Sequence, residues 1–149
     1  MVRLQHVGAT FPPGQADTIR GFYGGVLGLT EMTVPPEVAD QGWVWFATRD
    51  AGIELHFIPD ALPPDPRRRH HFCLQVDDLA GARRRVEAAR FAVTEPGSQI
   101  YGRERFFVRD PLDNLVELVE LTSTPAGGAE LAERRASAAV RARRRARRR

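Results

Sequence analysis

The sequence lacks several features that would indicate particular classes of protein. It contains one cysteine, Cys73, so an intrachain disulfide is excluded and a reducing compartment such as the cytoplasm is favoured. No apolar run approaches the roughly 20 residues of a membrane-spanning helix, and the first residues carry no apolar segment of a secretory signal. With 149 residues, 42% of them hydrophobic and 28% charged, the chain is expected to be a soluble globular protein.

Lysine is absent as well, and all 22 basic residues are arginine. The net charge of +3 is unevenly distributed, since residues 1–124 carry 13 Arg and 17 acidic residues whereas residues 125–149 carry 9 Arg and 2 Glu. We therefore expect a mildly acidic domain over 1–124 and a basic, Ala/Arg-rich tail over 125–149. For the tail we expect either a solvated segment or weak, non-specific contact with a polyanion.

Two blocks of the chain follow the same pattern of elements. A proline-rich linker over 59–69 separates module one, at about 3–58, from module two, at about 70–121. Each block reads as a strand, a helix and then three strands. This order predicts an α+β fold built from two tandem βαβββ modules.

The first and last strands of each module carry side chains that are able to bind metal. Because alternate residues of a strand face opposite sides, His6, Glu54, His71 and Glu117 each lie on the face opposite the apolar residues of their strand. If the modules are equivalent, a pseudo-twofold axis brings the four positions together. Imidazole nitrogen and carboxylate oxygen suit one divalent ion such as Zn, Ni, Fe, Mn or Co.

Five motifs together resemble the vicinal oxygen chelate superfamily, which includes glyoxalases, bleomycin-resistance proteins and extradiol dioxygenases. They cover nearly all of the predicted domain: 5–8 (QHVG), 22–29 (FYGGVLGL), 53–56 (IELH), 71–79 (HFCLQVDDL) and 106–118 (FFVRDPLDNLVEL). The resemblance implies a cupped, mostly antiparallel sheet with the metal inside the cup. It also implies a small-molecule substrate and favours a homodimer.

Carried over by position, the superfamily's metal ligands fall on His6, Glu54, His71 and Glu117. The resemblance implies a glyoxalase-type lyase or isomerase that forms a metal-bound enediolate or enolate, with Glu54 or Glu117 moving the proton. His56 shares a strand face with Glu54 and competes with it as the fourth ligand. One alternative is a non-haem iron dioxygenase. Another is a non-catalytic resistance protein of the bleomycin type, which binds a small molecule in the same cup.

Four further residues are candidates for the substrate pocket, namely His56, Trp45, Cys73 and Arg105. Each has an alternative reading. Trp45 equally suits the core, and Cys73 suits a small buried apolar position. Arg105 either holds an anionic substrate or is a solvated loop residue.

The remaining predictions concern the ends of the two helices and the turn at 110–114. Gly28 is expected to end the first helix in a left-handed conformation, and Asp77 or Asp78 to cap the second. Compared with the superfamily pattern, Asp113 replaces a glycine in the turn at 110–114, and Arg90 replaces a glycine after the second helix. Because Asp tolerates the left-handed conformation, the turn is expected to survive.

Overall fold

The computed structural model describes residues 2–49, 52–62 and 64–122. The predicted basic tail at 125–149 lies outside the described residues, so its contact with a polyanion stays a prediction. None of the helices within the described residues is long and apolar enough to cross a membrane.

Module one forms a four-stranded sheet. Its strands are β1 (His6–Phe11), β2 (Thr30–Met32), β3 (Val44–Ala47) and β4 (Glu54–Pro59). The sheet order is β1-β4-β3-β2, with β1 parallel to β4 and the other neighbours antiparallel. The parallel pairing places the first and last strands of the module side by side.

Module two repeats this arrangement. Its strands are β5 (His71–Gln75), β6 (Val93–Thr94), β7 (Arg103–Arg109) and β8 (Leu115–Leu121). The order is β5-β8-β7-β6, with β5 parallel to β8 and the other neighbours antiparallel. The two mixed sheets confirm the predicted α+β fold of two βαβββ modules.

The helix of each module follows its first strand. In module one, α1 (Ala16–Ile19) continues as a π-helical stretch over Arg20–Val26, where Leu27 N donates to Phe22 O at 3.0 Å. The sequence predicted a plain α-helix here. Three glycines in this stretch weaken the α-helical preference, which makes the wider turn easier to adopt.

In module two, α2 spans Leu79–Ala88. The side chain of Asp78 accepts a hydrogen bond from Gly81 N at 2.7 Å, which confirms the predicted cap. The Pro36–Gln41 segment forms a 3-10 turn that the sequence did not predict.

Three residues adopt the left-handed backbone conformation at the places that turn chemistry indicated. Gly28 has φ 77°, Asp113 has φ 71° and Arg90 has φ 65°. The turn at 110–114 therefore survives without its glycine. Arg90 lacks the short polar side chain that makes Asp tolerant, so its conformation is strained.

One apolar core is shared by both modules and ties them together. Tyr23 packs its ring on Phe57 of β4 and on Phe72 of β5. Its hydroxyl donates to the buried Asp110 carboxylate at 2.9 Å. Asn114 adds a second link, from its side-chain amide to Thr10 O at 3.0 Å. Burial raises the pKa of Asp110, while the hydrogen bonds it accepts act in the opposite direction.

Candidate functional site

The parallel pair in each module positions the predicted ligands. Cross-strand partners point to the same side of a sheet, and His6 lies directly opposite Glu54 across β1 and β4. In module two Glu117 lies opposite Cys73, while His71 is one cross-strand position earlier on the same face. We call these surfaces the ligand faces: His6, Glu54 and His56 in module one, and His71, Cys73 and Glu117 in module two.

The ligand face of module one is built around a column of three stacked rings. The His56 ring lies 3.8 Å from the Trp45 ring and 4.3 Å from the His6 ring, and all three are nearly parallel. His56 Nε2 contacts Glu54 Oε2 at 2.7 Å. Because His56 is only 7% exposed, stacking and this contact fix its ring in one orientation.

The charges around Glu54 favour its ionised form. The hydrogen bond with His56 is the largest cause that lowers the pKa of the Glu54 carboxyl, and Gln5 and His6 act in the same direction. His6 Nδ1 contacts the side-chain oxygen of Gln5. Since an amide oxygen only accepts, this contact places the proton on Nδ1 and leaves His6 Nε2 available to a ligand.

In module two, the ligand face places His71 against Glu117. His71 Nδ1 donates to the backbone oxygen of Arg69 at 2.8 Å, and His71 Nε2 lies 3.1 Å from Glu117 Oε2. The second oxygen of Glu117 accepts from Arg105 Nη1 at 3.0 Å. With Arg105 and Glu117 only 12% and 11% exposed at their side chains, this is a well-shielded ion pair.

Cys73 completes this cluster. Desolvation of the thiol, followed by the neighbouring Glu117 carboxylate, raises the pKa of Cys73 to about 11. Although Cys73 keeps solvent-exposed surface, its thiol therefore stays protonated at neutral pH. It is a poor nucleophile and a poor metal ligand in this state.

Two buried donors on the ligand side of the sheets have no partner among the described residues. They are Nε1 of Trp45, in the ring column, and Nε of Arg105, beside Glu117. Buried donors are nearly always satisfied in folded proteins. Acceptors supplied by a ligand or by water would satisfy both.

Strand register bears on whether Glu54 or His56 is the better candidate for the fourth metal ligand. In module two, Glu117 lies opposite Cys73, the second residue after His71. In module one, His56 lies opposite Gly8, the second residue after His6. His56 therefore occupies the place in module one that Glu117 occupies in module two, with Glu54 one cross-strand position earlier.

The structure brings the predicted residues together in two groups rather than one. Among residues 2–49, 52–62 and 64–122, no three His, Cys, Asp or Glu side chains converge closely enough to hold a metal ion. Each ligand face of a single chain thus offers its own imidazole and carboxylate donors. The four-ligand set stays a prediction.

The sequence analysis missed the groups that orient the ligands. Gln5 fixes the tautomer of His6, and the backbone oxygen of Arg69 does so for His71. The adjacency of Gln5 to His6 was a usable signal. A backbone oxygen two residues before His71 gives no signal in the sequence, because its orientation depends on how the linker folds.

Comparison with known proteins gives a family and a set of similar folds. Residues 3–118 match the model of the Glyoxalase/Bleomycin resistance protein/Dioxygenase superfamily. A glyoxalase family protein from Bacillus anthracis superposes with a TM-score of 0.72 at 25% identity, covering 81% of this chain and 96% of that one. No curated protein matches the sequence significantly.

Two further similar structures hold different ligands or roles. The fosfomycin resistance protein FosX from Listeria monocytogenes, complexed with Mn(II) and a sulfate ion, has a TM-score of 0.66 at 14% identity, covering 82% of this chain and 92% of that one. TnmS3, an antibiotic-binding protein from a Streptomyces species, has a TM-score of 0.59 at 19% identity, covering 81% and 97%. These likenesses show the fold alone.

Proposed function

Since the chain belongs to the Glyoxalase/Bleomycin resistance protein/Dioxygenase superfamily, we propose that it is a metal-dependent enzyme of the glyoxalase type. It acts as a lyase or isomerase on a small oxygenated molecule, in the cytoplasm that its single cysteine favours. His6, His71 and Glu117 hold the ion, and Glu54 or His56 supplies the fourth donor.

One observation carries this proposal, the orientation of His71. Its Nδ1 donates to the Arg69 backbone oxygen at 2.8 Å, which directs Nε2 toward Glu117 Oε2, 3.1 Å away. An imidazole nitrogen and a carboxylate oxygen held side by side are the donor types that a first-row divalent ion takes. Metal-binding histidines commonly donate their other ring nitrogen to a carbonyl or carboxylate oxygen in this way.

A homodimer would complete the ligand set. The described residues of one chain offer two separate donor groups, and neither brings three donors close enough together to hold an ion. Pairing module one of one copy with module two of another would bring His6 and Glu54 of one copy together with His71 and Glu117 of the other. The resulting donor set of nitrogen and oxygen fits a first-row divalent metal.

Different groups then carry out different parts of the reaction. The bound ion would polarise substrate oxygens and stabilise negative charge that develops on them. Glu54 accepts a proton from the substrate, because its carboxylate lies on the ligand face directly opposite His6 and is oriented by His56, 2.7 Å away. Glu117 is less suited to that role, since Arg105 and His71 hold its two oxygens.

Metal analysis tests the proposal directly. Protein purified without a metal-affinity tag and then offered Mn, Zn, Ni or Fe is expected to bind a divalent ion. His71→Ala should lose that ion, whereas His70→Ala, the same change at the exposed neighbouring residue, should keep it. Absence of binding, or equal occupancy in both variants, would contradict the proposal. Iron combined with oxygen-dependent turnover of a catechol would favour the dioxygenase instead.

A second candidate function is non-catalytic binding of a small molecule. Arg105 supplies a positive charge 3.0 Å from Glu117, which competes with a metal ion for that carboxylate. The unpartnered donors of Trp45 and Arg105 and the ring column suit a planar ligand that carries acceptors. Quenching of tryptophan fluorescence by an aromatic antibiotic in the presence of EDTA would support this candidate; loss of that quenching without metal would oppose it.

A further inference from the structure

A cavity of about 490 Å³ lies beside His71. Its lining combines apolar residues with charged residues from the linker, from the end of β7 and from the segment after β6. The charged residues of the lining are Arg69, Arg109 and Glu95, and the apolar ones are Ala92, Pro96, Phe107 and Leu115.

The positive charges of this cavity are not neutralised. Within the described residues neither Arg69 nor Arg109 forms an ion pair. Arg109 donates only to backbone oxygens, those of Asp113 at 2.8 Å and Arg68 at 3.0 Å. The guanidinium is thereby held in place while several of its N–H groups stay available.

The acidic residues nearby are already committed to other arginines. Glu95 pairs with Arg83 at 2.7 Å, which lowers the pKa of the Glu95 carboxyl. Asp65 feels the charge of Arg109, but its two oxygens accept from Arg67 at 3.0 and 3.1 Å. The cavity therefore presents two positive charges, of which Arg109 is held in place by hydrogen bonds, and no free carboxylate among the residues described.

We propose that this cavity binds the anionic group of an amphipathic organic anion, a carboxylate or a phosphoryl group, through Arg69 and Arg109. Guanidinium groups hold such oxyanions through paired, charge-assisted hydrogen bonds. Phe107 and Leu115 pack against the apolar body of the ligand.

The position of the cavity connects it to the candidate metal site. His71 lies on its rim, and the Phe107 ring meets the His71 ring edge-on at 5.4 Å. An anion anchored at Arg69 and Arg109 would extend its other end toward the His71–Glu117 pair. The inference names the substrate class of the candidate metal site, and in that respect it rests on the proposed function. Anion binding by the cavity itself needs no metal.

The test is a titration of the full chain with inorganic phosphate and with acetate in EDTA, followed by NMR shifts of backbone amides. Saturable shifts are expected at Thr94 and Gly97, which line the cavity. Stronger binding of phosphate would assign a phosphoryl group, and equal or stronger binding of acetate a carboxylate.

Charge-neutral variants make the test specific. Arg69→Gln and Arg109→Gln should each weaken binding by about tenfold, as expected for loss of a charge-assisted contact. Arg84→Gln removes the same charge from an exposed position on α2 that does not line the cavity, so its affinity should stay unchanged. Arg69 is exposed, so its variant should fold even if loss of Arg109 perturbs the turn.

Absence of saturable binding, or equal weakening by Arg84→Gln and Arg69→Gln, would overturn the inference. Because EDTA is present throughout, this failure is separate from failure of the metal proposal. A protein that binds anions but no metal would retain the inference and lose the proposed enzyme.

Discussion

The chemical state of each polar side chain in the ligand faces depends on the atoms that it contacts. The Glu117 carboxylate interacts with three neighbouring side chains, those of His71, Arg105 and Cys73. A protonated thiol and a guanidinium can share a carboxylate, because both donate. Desolvation and, after it, the negative charge of this carboxylate disfavour the thiolate, so Cys73 stays protonated.

The reactivity of Cys73 should therefore depend on pH in a defined way. Its pKa is raised to about 11, so the thiol is protonated from pH 7 to 9, and its alkylation rate in EDTA should climb with pH toward about 11. Glu117→Gln removes the negative charge and should shift this profile to lower pH. A wild-type profile with a midpoint near the roughly 8.5 of a free thiol would show that the thiol lies away from Glu117.

At the scale of elements, the end of α2 stores strain. Arg90 has φ 65°, a conformation that costs an L-residue about 1–2 kcal/mol and a glycine far less. After allowing for the greater freedom of glycine in the unfolded chain, Arg90→Gly should raise the free energy of unfolding by about 0.5–1 kcal/mol.

Urea denaturation measures this change. The matched control is Arg84→Gly, which makes the same replacement at an exposed position inside α2. There the free energy of unfolding should fall by about 1 kcal/mol, because glycine disfavours a helix interior. Changes of the same sign in both variants would contradict the account of Arg90.

Elements also show where prediction from the sequence succeeds and where it stops. Alternation along single strands was enough to place His6 and Glu54 on one face, and they are direct partners across β1 and β4. Alternation says nothing about how two distant strands align. The register that gives His56 the counterpart place of Glu117, and the contact of Arg105 with Glu117, depend on pairing between segments that only the folded sheets bring together.

For the whole molecule, the separation of donors into two groups makes the pairing of modules testable. His6→Ala and His71→Ala should each lose metal alone. If sites form between copies, a mixed dimer of the two variants contains one site with both changes and one intact site. Equal mixing and exchange should then restore about one quarter of wild-type sites, as random twofold pairing requires.

Metal content of the exchanged mixture is the measurement. No recovery after verified subunit exchange would place both donor groups of a site within one chain. A mixture of His71→Ala with itself, carried through the same exchange, is the background.

The bond from Tyr23 to Asp110 joins positions 87 residues apart, and it has a consequence for biosynthesis. As the chain leaves the ribosome, the first sheet can pair β1 with β4 while the Tyr23 hydroxyl still has no partner. The faces of Tyr23 and Phe57 that Phe72 covers are then open to solvent or to chaperones. The hydrogen bond from Tyr23 can form only after the segment around Asp110 has been synthesised, so we expect the shared core to close at that stage.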